Sequence, residues 1–363
     1  MGKPDGTNES GSGAGSGRGG LSRRVLVTGG AGFIGSHLIE CLIARSGGSG
    51  LDVTVIDDLS TGRRENLDVI AQAAERGGAT LRVIESDLVE AIPGLAAGEP
   101  FGTVFHLAAA VGVDLVLEDP VRAIEVNVES TSALLKHLAG HGCPPTVIAS
   151  SSEVYGKPGT SVFSEDDDSL YGSTTVTRWS YAHAKALDEH LALGYHTTRG
   201  LPTVVARFFN TVGPRQRGRY GMVLPRFVGA AIEGKPLRVF GDGQQTRCFC
   251  DVRDVVPAVA ALAETPACYG RVFNIGSDRP VSVRELGERV IEVLESPSGI
   301  ELVPYEDAYA PGFEDLRHRR PDLSRVREAV GFEVRHTLEQ TIRDVAEDIR
   351  GGAVSPEDGV RHV

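Results

Sequence analysis

The 363-residue sequence is poor in positive charge and in paired cysteine, and it lacks long apolar runs. Its formal net charge of -12 argues against a nucleic-acid partner, because proteins that bind nucleic acid present basic surfaces. The longest apolar runs fall far short of the roughly 20 residues that a transmembrane helix needs, and no basic start leads into a hydrophobic core with a cleavage site. We therefore expect no nucleic-acid partner, no membrane association and a cytoplasmic location.

The five cysteines form an odd, scattered set without a CxxC pair, which is typical of a reducing compartment. Cys248 and Cys250 alternate in a run that resembles a strand, so they are predicted to be buried strand residues. A metal pair is the alternative, but no second ligand pair follows, and we predict no metal site.

The most informative stretch is VLVTGGAGFIGSHL, residues 25–38. A short β-branched run predicts a buried parallel strand, and Phe33 and Ile34 begin an apolar pattern at helical spacing. Three glycines stand where a Cβ would hold the backbone away from a pyrophosphate at the helix N-terminus: Gly29, Gly32 and Gly35. The GxxGxxG spacing differs from the usual GxGxxG, and a glycine turn without a ligand is the alternative.

Asp57 supports a dinucleotide, because it ends a second predicted strand at 52–56 and is placed to accept hydrogen bonds from an adenosine ribose. A carboxylate there disfavours a 2′-phosphate, which favours NAD over NADP. Arg63 and Arg64 follow closely and weaken that preference.

Further strand patterns at 81–85, 103–106, 146–149 and 203–208 alternate with helical patterns at 120–138 and 181–195. This order predicts an α/β fold, a Rossmann-like doubly wound parallel sheet with a smaller C-terminal substrate-binding domain. In that smaller domain, 247–252 is predicted to be a strand, with Asp254 capping the next helix and Ser282 with Glu285 forming a capping box. The predicted divisions are a disordered tail (1–22), an NAD-binding domain (23–209, with a return segment at about 251–276), a nucleotide-sugar-binding domain (210–250 and 277–350) and a loose tail (351–363).

Tyr181 and Lys185 are four residues apart in a helical stretch and share one helix face, which makes them the catalytic candidates. A free phenol has a pKa of about 10, too high for a base at neutral pH, and a nearby ammonium lowers it. An ordinary surface tyrosine and lysine are the alternative.

Six stretches carry a family resemblance: VTGGAGFIGSHL, DDLSTG, VFHLAAA, SSSEVYG, SYAHAK and RFFNTVGPR. Together they resemble the extended short-chain dehydrogenase/reductase family, specifically its nucleotide-sugar epimerases, dehydratases and decarboxylases, over about residues 24–345. The resemblance implies bound NAD, a UDP-sugar substrate and a homodimer formed through the helices at 120–138 and 181–195.

The resemblance also implies roles for individual residues. Ser151 hydrogen-bonds the reacting sugar oxygen, Tyr181 is the base, and Lys185 tunes it and contacts the ribose. The implied cofactor contacts are Gly29, Gly32, Phe33, Ile34, Gly35, Asp57, Asp87, Leu88, Leu107, Ala108, Ala109, Tyr181, Lys185 and Phe208. The implied nucleotide contacts are Asn210, Val223 and Leu224, and an unassigned arginine within 317–320 meets the diphosphate.

The residues after Ser151 indicate the subfamily. Ser152 and Glu153 stand where a 4,6-dehydratase needs an Asp-Glu pair, and a 4-epimerase usually has small residues at both places. With Arg247, the Ser-Glu pair resembles UDP-glucuronate decarboxylases, in which the glutamate and an arginine flank the reacting carboxylate. Glu153 as a plain loop residue and Arg247 as a diphosphate contact alone are the alternatives.

The predicted reaction is oxidation at C4, loss of CO2 from C5 and re-reduction to UDP-xylose, or release of its 4-keto precursor. The stretch HLAAAVGVDL and a long acidic loop at 165–178 differ from the better-known decarboxylases, which leaves a 4-epimerase or dehydratase open. A non-catalytic NAD-binding scaffold is the rival from another class, but Tyr181 and Lys185 are both present.

Overall fold

A computed structural model describes residues 23–48, 50–95, 98–112, 118–157, 159–218, 222–308 and 317–352. Its centre is a parallel seven-stranded sheet in the order β12-β7-β5-β4-β1-β2-β3. With strands numbered in chain order, these are β1 (Arg24–Thr28), β2 (Asp52–Asp57), β3 (Thr80–Glu85), β4 (Thr103–His106), β5 (Thr146–Ser151), β7 (Thr203–Phe208) and β12 (Arg271–Ile275). The α/β, Rossmann-like prediction is confirmed.

Helices cover both faces of this sheet. The helices are α1 (Phe33–Ser46), α2 (Arg64–Gly77), α3 (Leu88–Leu95), α4 (Pro120–Gly140), α5 (Trp179–Arg199), α6 (Val223–Ile232), α7 (Val252–Ala263), α8 (Val283–Leu294), α9 (Tyr305–Ala308), α10 (Ser324–Val330) and α11 (Leu338–Arg350). Strand β1 shows the division, because Val25 and Val27 pack with α1, α2 and α7, whereas Leu26 packs with α3, α4 and α5. The two-sided burial explains why β1 reads as a continuous apolar run.

A second hydrophobic cluster lies outside the main sheet and joins α6, α8 and α11 through residues such as Phe227, Leu286 and Ile342. The strands that do not belong to the main sheet form short two-stranded pairs. The remaining strands are β6 (Val162–Phe163), β8 (Thr211–Val212), β9 (Leu237–Phe240), β10 (Thr246–Cys248), β11 (Cys250–Asp251), β13 (Pro280–Ser282), β14 (Ile300–Val303) and β15 (Arg320–Pro321). The domain boundaries stay predictions, and most of both predicted tails lies outside the described residues.

The stretch 247–252 differs from its prediction. It forms two short strands, β10 and β11, which pair with different partners, and α7 begins at Val252. Asp251 is the helix cap instead of Asp254, because its Oδ1 accepts the Arg253 N–H at 2.9 Å.

Cys248 and Cys250 are both buried and free, as predicted, although on separate strands. Within the described ranges there is no cluster of metal-ligating side chains. Nor is any helix there both long and apolar enough to cross a membrane.

Candidate active site

The glycine turn between β1 and α1 is built for close backbone approach. Gly29 has a φ of +73°, and a Cβ there would lie 2.7 Å from the backbone nitrogen of Ala108. A Cβ on Gly35 would lie 2.1 Å from the Gly29 carbonyl oxygen. The turn therefore leaves the N-terminus of α1, which begins at Phe33, open to a pyrophosphate.

Asp57 ends β2 beside this turn. Its carboxylate accepts the N–H groups of Ala31 and Leu59, both at 2.9 Å, and burial raises its pKa against those hydrogen bonds. A Cβ on Gly62 would lie 2.7 Å from its Oδ1, so only glycine lets the chain pass this close to the carboxylate. These features fit the adenosine ribose of a dinucleotide.

The other predicted cofactor contacts lie at the carboxyl ends of neighbouring strands. Asp87 follows β3 and accepts the Val89 N–H at 2.7 Å, and Leu107 follows β4 with its N–H on the Thr28 carbonyl. Phe208 ends β7. This edge is where open parallel sheets bind ligands.

Tyr181 lies in the first turn of α5 and packs against Ala110 and Ala123. Asn127 fixes that neighbourhood, because its side-chain amide bonds both the N–H and the carbonyl of Ala110. Asn127 could not be predicted from the sequence, since no local pattern distinguishes it from any polar residue on α4. Ser151, at the end of β5, is close enough to the phenol of Tyr181 to lower its pKa.

Lys185 does not act on Tyr181 as expected. Burial raises the pKa of Tyr181 well above 10, and the Glu153 carboxylate adds to that rise. The Lys185 ammonium instead donates to the Ala149 carbonyl and to Asp188 Oδ2, both at 3.1 Å. The prediction of a lowered Tyr181 pKa is wrong for this structure, because burial of the phenol and the nearby Glu153 carboxylate outweigh the hydrogen bond with Ser151.

Glu153 lies between two buried arginines. Arg178 donates to Oε2 at 2.9 Å, and Arg319 donates to Oε1. Burial opposes ionisation of Glu153, but Arg319 and then Arg178 outweigh it and lower the pKa to about 2. Glu153 is therefore a fixed negative charge at neutral pH and does not serve as a proton donor there.

Glu153 is paired with Arg178 and Arg319, and the place of Arg247 beside the sugar carboxylate stays a prediction. Arg247 lies on β10, which pairs with β13 outside the main sheet, and it donates to the Thr246 carbonyl at 2.9 Å. Within 317–320, Arg319 is the arginine that contacts Glu153. Arg317 instead contacts exposed Asp242.

The sequence did not predict that Arg178 and Arg319 contact Glu153. Arg178 could have been found, because it stands three residues before Tyr181, which puts it on the same face of a helix. Arg319 could not be assigned to Glu153, because 166 residues separate the two in sequence.

Of the predicted nucleotide contacts, Val223 and Leu224 pack in the second hydrophobic cluster. Asn210 has a φ of +34°, and its side-chain nitrogen is buried without a hydrogen-bond partner among the described residues. That donor fits a ligand acceptor. Val223 and Leu224 begin α6. Ser152, which was predicted to be catalytic, is buried in a short 3-10 helix, Ser152–Tyr155.

A glycine turn at the edge of a parallel sheet, with serine, tyrosine and lysine beside it, defines a dinucleotide-binding protein of the short-chain dehydrogenase/reductase class. A family model, the NAD dependent epimerase/dehydratase family, matches residues 25–276. The chain belongs to this family.

Two curated relatives share most of the chain. A UDP-N-acetyl-alpha-D-glucosaminuronate decarboxylase of Bacillus cytotoxicus is 39% identical over 91% of this chain and 98% of its own length. A UDP-glucuronic acid decarboxylase 1 of Arabidopsis thaliana is 33% identical over 93% of this chain and 72% of its own length. Among solved structures, the Thermus thermophilus UDP-glucose 4-epimerase in complex with NAD has a TM-score of 0.76 and 30% identity, covering 90% of this chain and 99% of its own.

Proposed function

We propose that this protein is an NAD-dependent decarboxylase of a UDP-linked hexuronate, with UDP-glucuronate as the substrate predicted from the sequence. The observation that carries the proposal is the Glu153 cluster, in which two guanidinium groups meet one carboxylate beside Tyr181. Arg319 is 6% exposed, and its Nε has no hydrogen-bond partner among the described residues. The cluster has two positive charges and one negative charge, so the carboxylate of the sugar would supply a matching second negative charge.

Held by the glycine turn and Asp57, NAD would supply the hydride acceptor for oxidation at C4 and the hydride for re-reduction, and its positive charge would favour the phenolate of Tyr181. Tyr181 takes the proton of the C4 hydroxyl, and Ser151 orients that oxygen. The resulting C4 ketone is β to the carboxylate, so the bond from C5 to the carboxyl carbon breaks and CO2 leaves. The electron pair goes to the C4 oxygen, where Ser151 and Tyr181 stabilise the enolate, and C5 then takes a proton from solvent water as the C4 ketone re-forms. On re-reduction at C4, Tyr181 returns its proton to the C4 oxygen.

UDP-N-acetylglucosaminuronate is the second candidate substrate, because the relative that acts on it is more similar than the plant UDP-glucuronate enzyme. The two sugars differ only at C2 and share the C4 hydroxyl and the C6 carboxylate on which the mechanism acts. The geometry around Glu153 serves both.

The deciding experiment is mass spectrometry of the nucleotide sugar after incubation of the purified protein with NAD and each uronate separately. Loss of CO2 establishes the decarboxylase. The uronate with the larger kcat/KM shows which substituent at C2 the protein prefers. An unchanged mass with a new C4 epimer by NMR would replace the proposal with the 4-epimerase. If neither the mass nor the C4 configuration changes although NAD is bound, the result would favour the non-catalytic scaffold.

We further propose a homodimer through α4 and α5. Val121 is 62% exposed and Ile124 is 42% exposed, three residues apart on α4, and Leu187 on α5 is 47% exposed. The two helices pack against each other, so these side chains offer an apolar surface to a second copy.

A further inference from the structure

Asp188 is a fully buried carboxylate next to the proposed catalytic lysine. It stands three residues after Lys185 on α5, and its Oδ2 lies 3.1 Å from the ammonium nitrogen. Burial raises the pKa of Asp188, and the Lys185 ammonium opposes that rise. Lys185 is itself only 2% exposed, so the two form an ion pair shielded from water.

His106, on β4, faces the same ammonium but supplies no charge to balance it. The Thr131 hydroxyl donates to the Asn127 carbonyl at 2.9 Å, so its oxygen accepts the Nε2–H of His106 at 3.0 Å. Nδ1 of His106 then accepts the Thr28 hydroxyl at 2.8 Å. Burial, with Lys185 second, lowers the pKa of His106 to about 3, which keeps the ring neutral.

The other acidic groups facing this region already have arginine partners. Glu153, in the 3-10 helix, binds Arg178 and Arg319, and Glu189, next to Asp188 on α5, binds Arg207 through both carboxylate oxygens. Among the residues that the structure describes, the remaining titratable group beside the pair is Tyr181, whose raised pKa keeps the phenol neutral. Among the described residues, Asp188 is therefore the carboxylate placed to balance Lys185.

We propose that Asp188 is a positioning residue, which holds the ammonium of Lys185 charged and directed at the end of β5, where Ala149 accepts its second hydrogen bond. This inference rests on the role proposed for Tyr181 and Lys185. Its consequence is that one negative charge acts on both ionisable neighbours. Asp188 also raises the pKa of Tyr181, so removing it lowers that pKa, and the limb of the pH profile that Tyr181 sets depends on it.

The test compares Asp188→Asn with Asp188→Glu and with the matched control Glu189→Gln, which removes a buried ion-paired carboxylate one residue away. For Asp188→Asn we expect the acidic limb of the pH profile of kcat, which Tyr181 sets, to move to lower pH by about one unit, and the plateau kcat to fall about tenfold because the ammonium is no longer held in place. Asp188→Glu should restore the profile, and Glu189→Gln should leave its position unchanged. A loss of equal size at every pH, an unmoved profile, or the same displacement in Glu189→Gln would overturn the proposal.

A second measurement does not need decarboxylation. Trp179 is the single tryptophan, so its fluorescence quenching reports NADH binding to the protein and its variants. The NADH Kd of Asp188→Asn should rise, because the Lys185 ammonium proposed to contact the ribose is no longer held in place, while Glu189→Gln follows the unaltered protein. This result stands even if no uronate is decarboxylated, whereas a Kd for Asp188→Asn equal to that of the unaltered protein would sink the proposal.

Discussion

At the scale of single residues, the proposed base and the permanently charged carboxylate of the site are two different side chains. Tyr181 is a neutral phenol, whereas Glu153 is ionised throughout the neutral range. A group that stays ionised across that range gives no titration there, so any limb of the pH profile between pH 5 and 8 belongs to the other groups of the site. We infer that Glu153 acts through its negative charge and by keeping Arg178 and Arg319 in position.

Tyr181→Phe removes the proposed base and leaves the ring. We expect turnover to fall by about 10²–10⁴, the usual worth of a general base, while the NADH Kd measured from Trp179 changes little. Tyr195→Phe, toward the other end of α5, is the matched control and should retain activity. Undiminished turnover in Tyr181→Phe would refute the catalytic assignment.

Glu153→Gln leaves Arg178 and Arg319 without their shared carboxylate. The folded pKa of about 2 is below the ordinary 4.5, so the charge stabilises the fold above pH 4.5, and this contribution is lost as the pH falls toward 2. The linked free energy is on the order of 3 kcal/mol. Urea unfolding should show Glu153→Gln less stable at pH 7, with the difference shrinking between pH 4.5 and 2.

Asp166→Asn is the control for that series, because Asp166 also binds an arginine but is exposed. An exposed pair contributes about 0–1 kcal/mol, so this variant should change stability little. A Glu153→Gln deficit that persisted unchanged at pH 2 would show that the arginine pairing is not its source.

At the scale of elements, the sequence predicted what depends on local pattern. Buried strands such as β1 and β4 are short apolar runs, and Ser282 caps α8 as expected, accepting the Glu285 N–H at 3.0 Å. The capping box there did not form, because Glu285 binds Arg289 instead. Long-range pairing could not be predicted from the sequence, because no local pattern indicates that Arg319 contacts Glu153.

The α1 element gives a direct test of the glycine turn. In Gly35→Ala the new Cβ would fall 2.1 Å from the Gly29 carbonyl oxygen, and since both are backbone-fixed, α1 must move away from the turn. We expect at least a tenfold weaker NADH Kd by Trp179 quenching, together with a lower Tm.

Gly194→Ala is the matched control, because Gly194 lies within α5 and a Cβ there has open space. That substitution should stabilise the protein by about 0.5–1 kcal/mol through better helix propensity and leave NADH binding unchanged. Equal behaviour of the two alanine variants would show that the close approach at Gly35 does not shape the cofactor site.

At the scale of the whole molecule, the proposed dimer joins the site to the outer helices. Tyr181 and Lys185 lie on α5, the same helix that presents Leu187 to solvent, and α4 carries Asn127 inward and Val121 outward. Association through these helices therefore acts on the elements that hold the proposed base. A four-helix contact of this kind buries apolar side chains that are costly to leave in water.

Val121→Asp and Ile124→Asp together place two like charges in each copy's share of the proposed interface. We expect the double variant to be monomeric by light scattering coupled to size exclusion, at a concentration where the unaltered protein is a dimer, because desolvated like charges oppose association. Leu302→Asp, which alters an exposed leucine on β14, should remain dimeric. If the double variant is a dimer too, the interface lies elsewhere, and if it is a monomer with full activity, each subunit's site is complete without its partner.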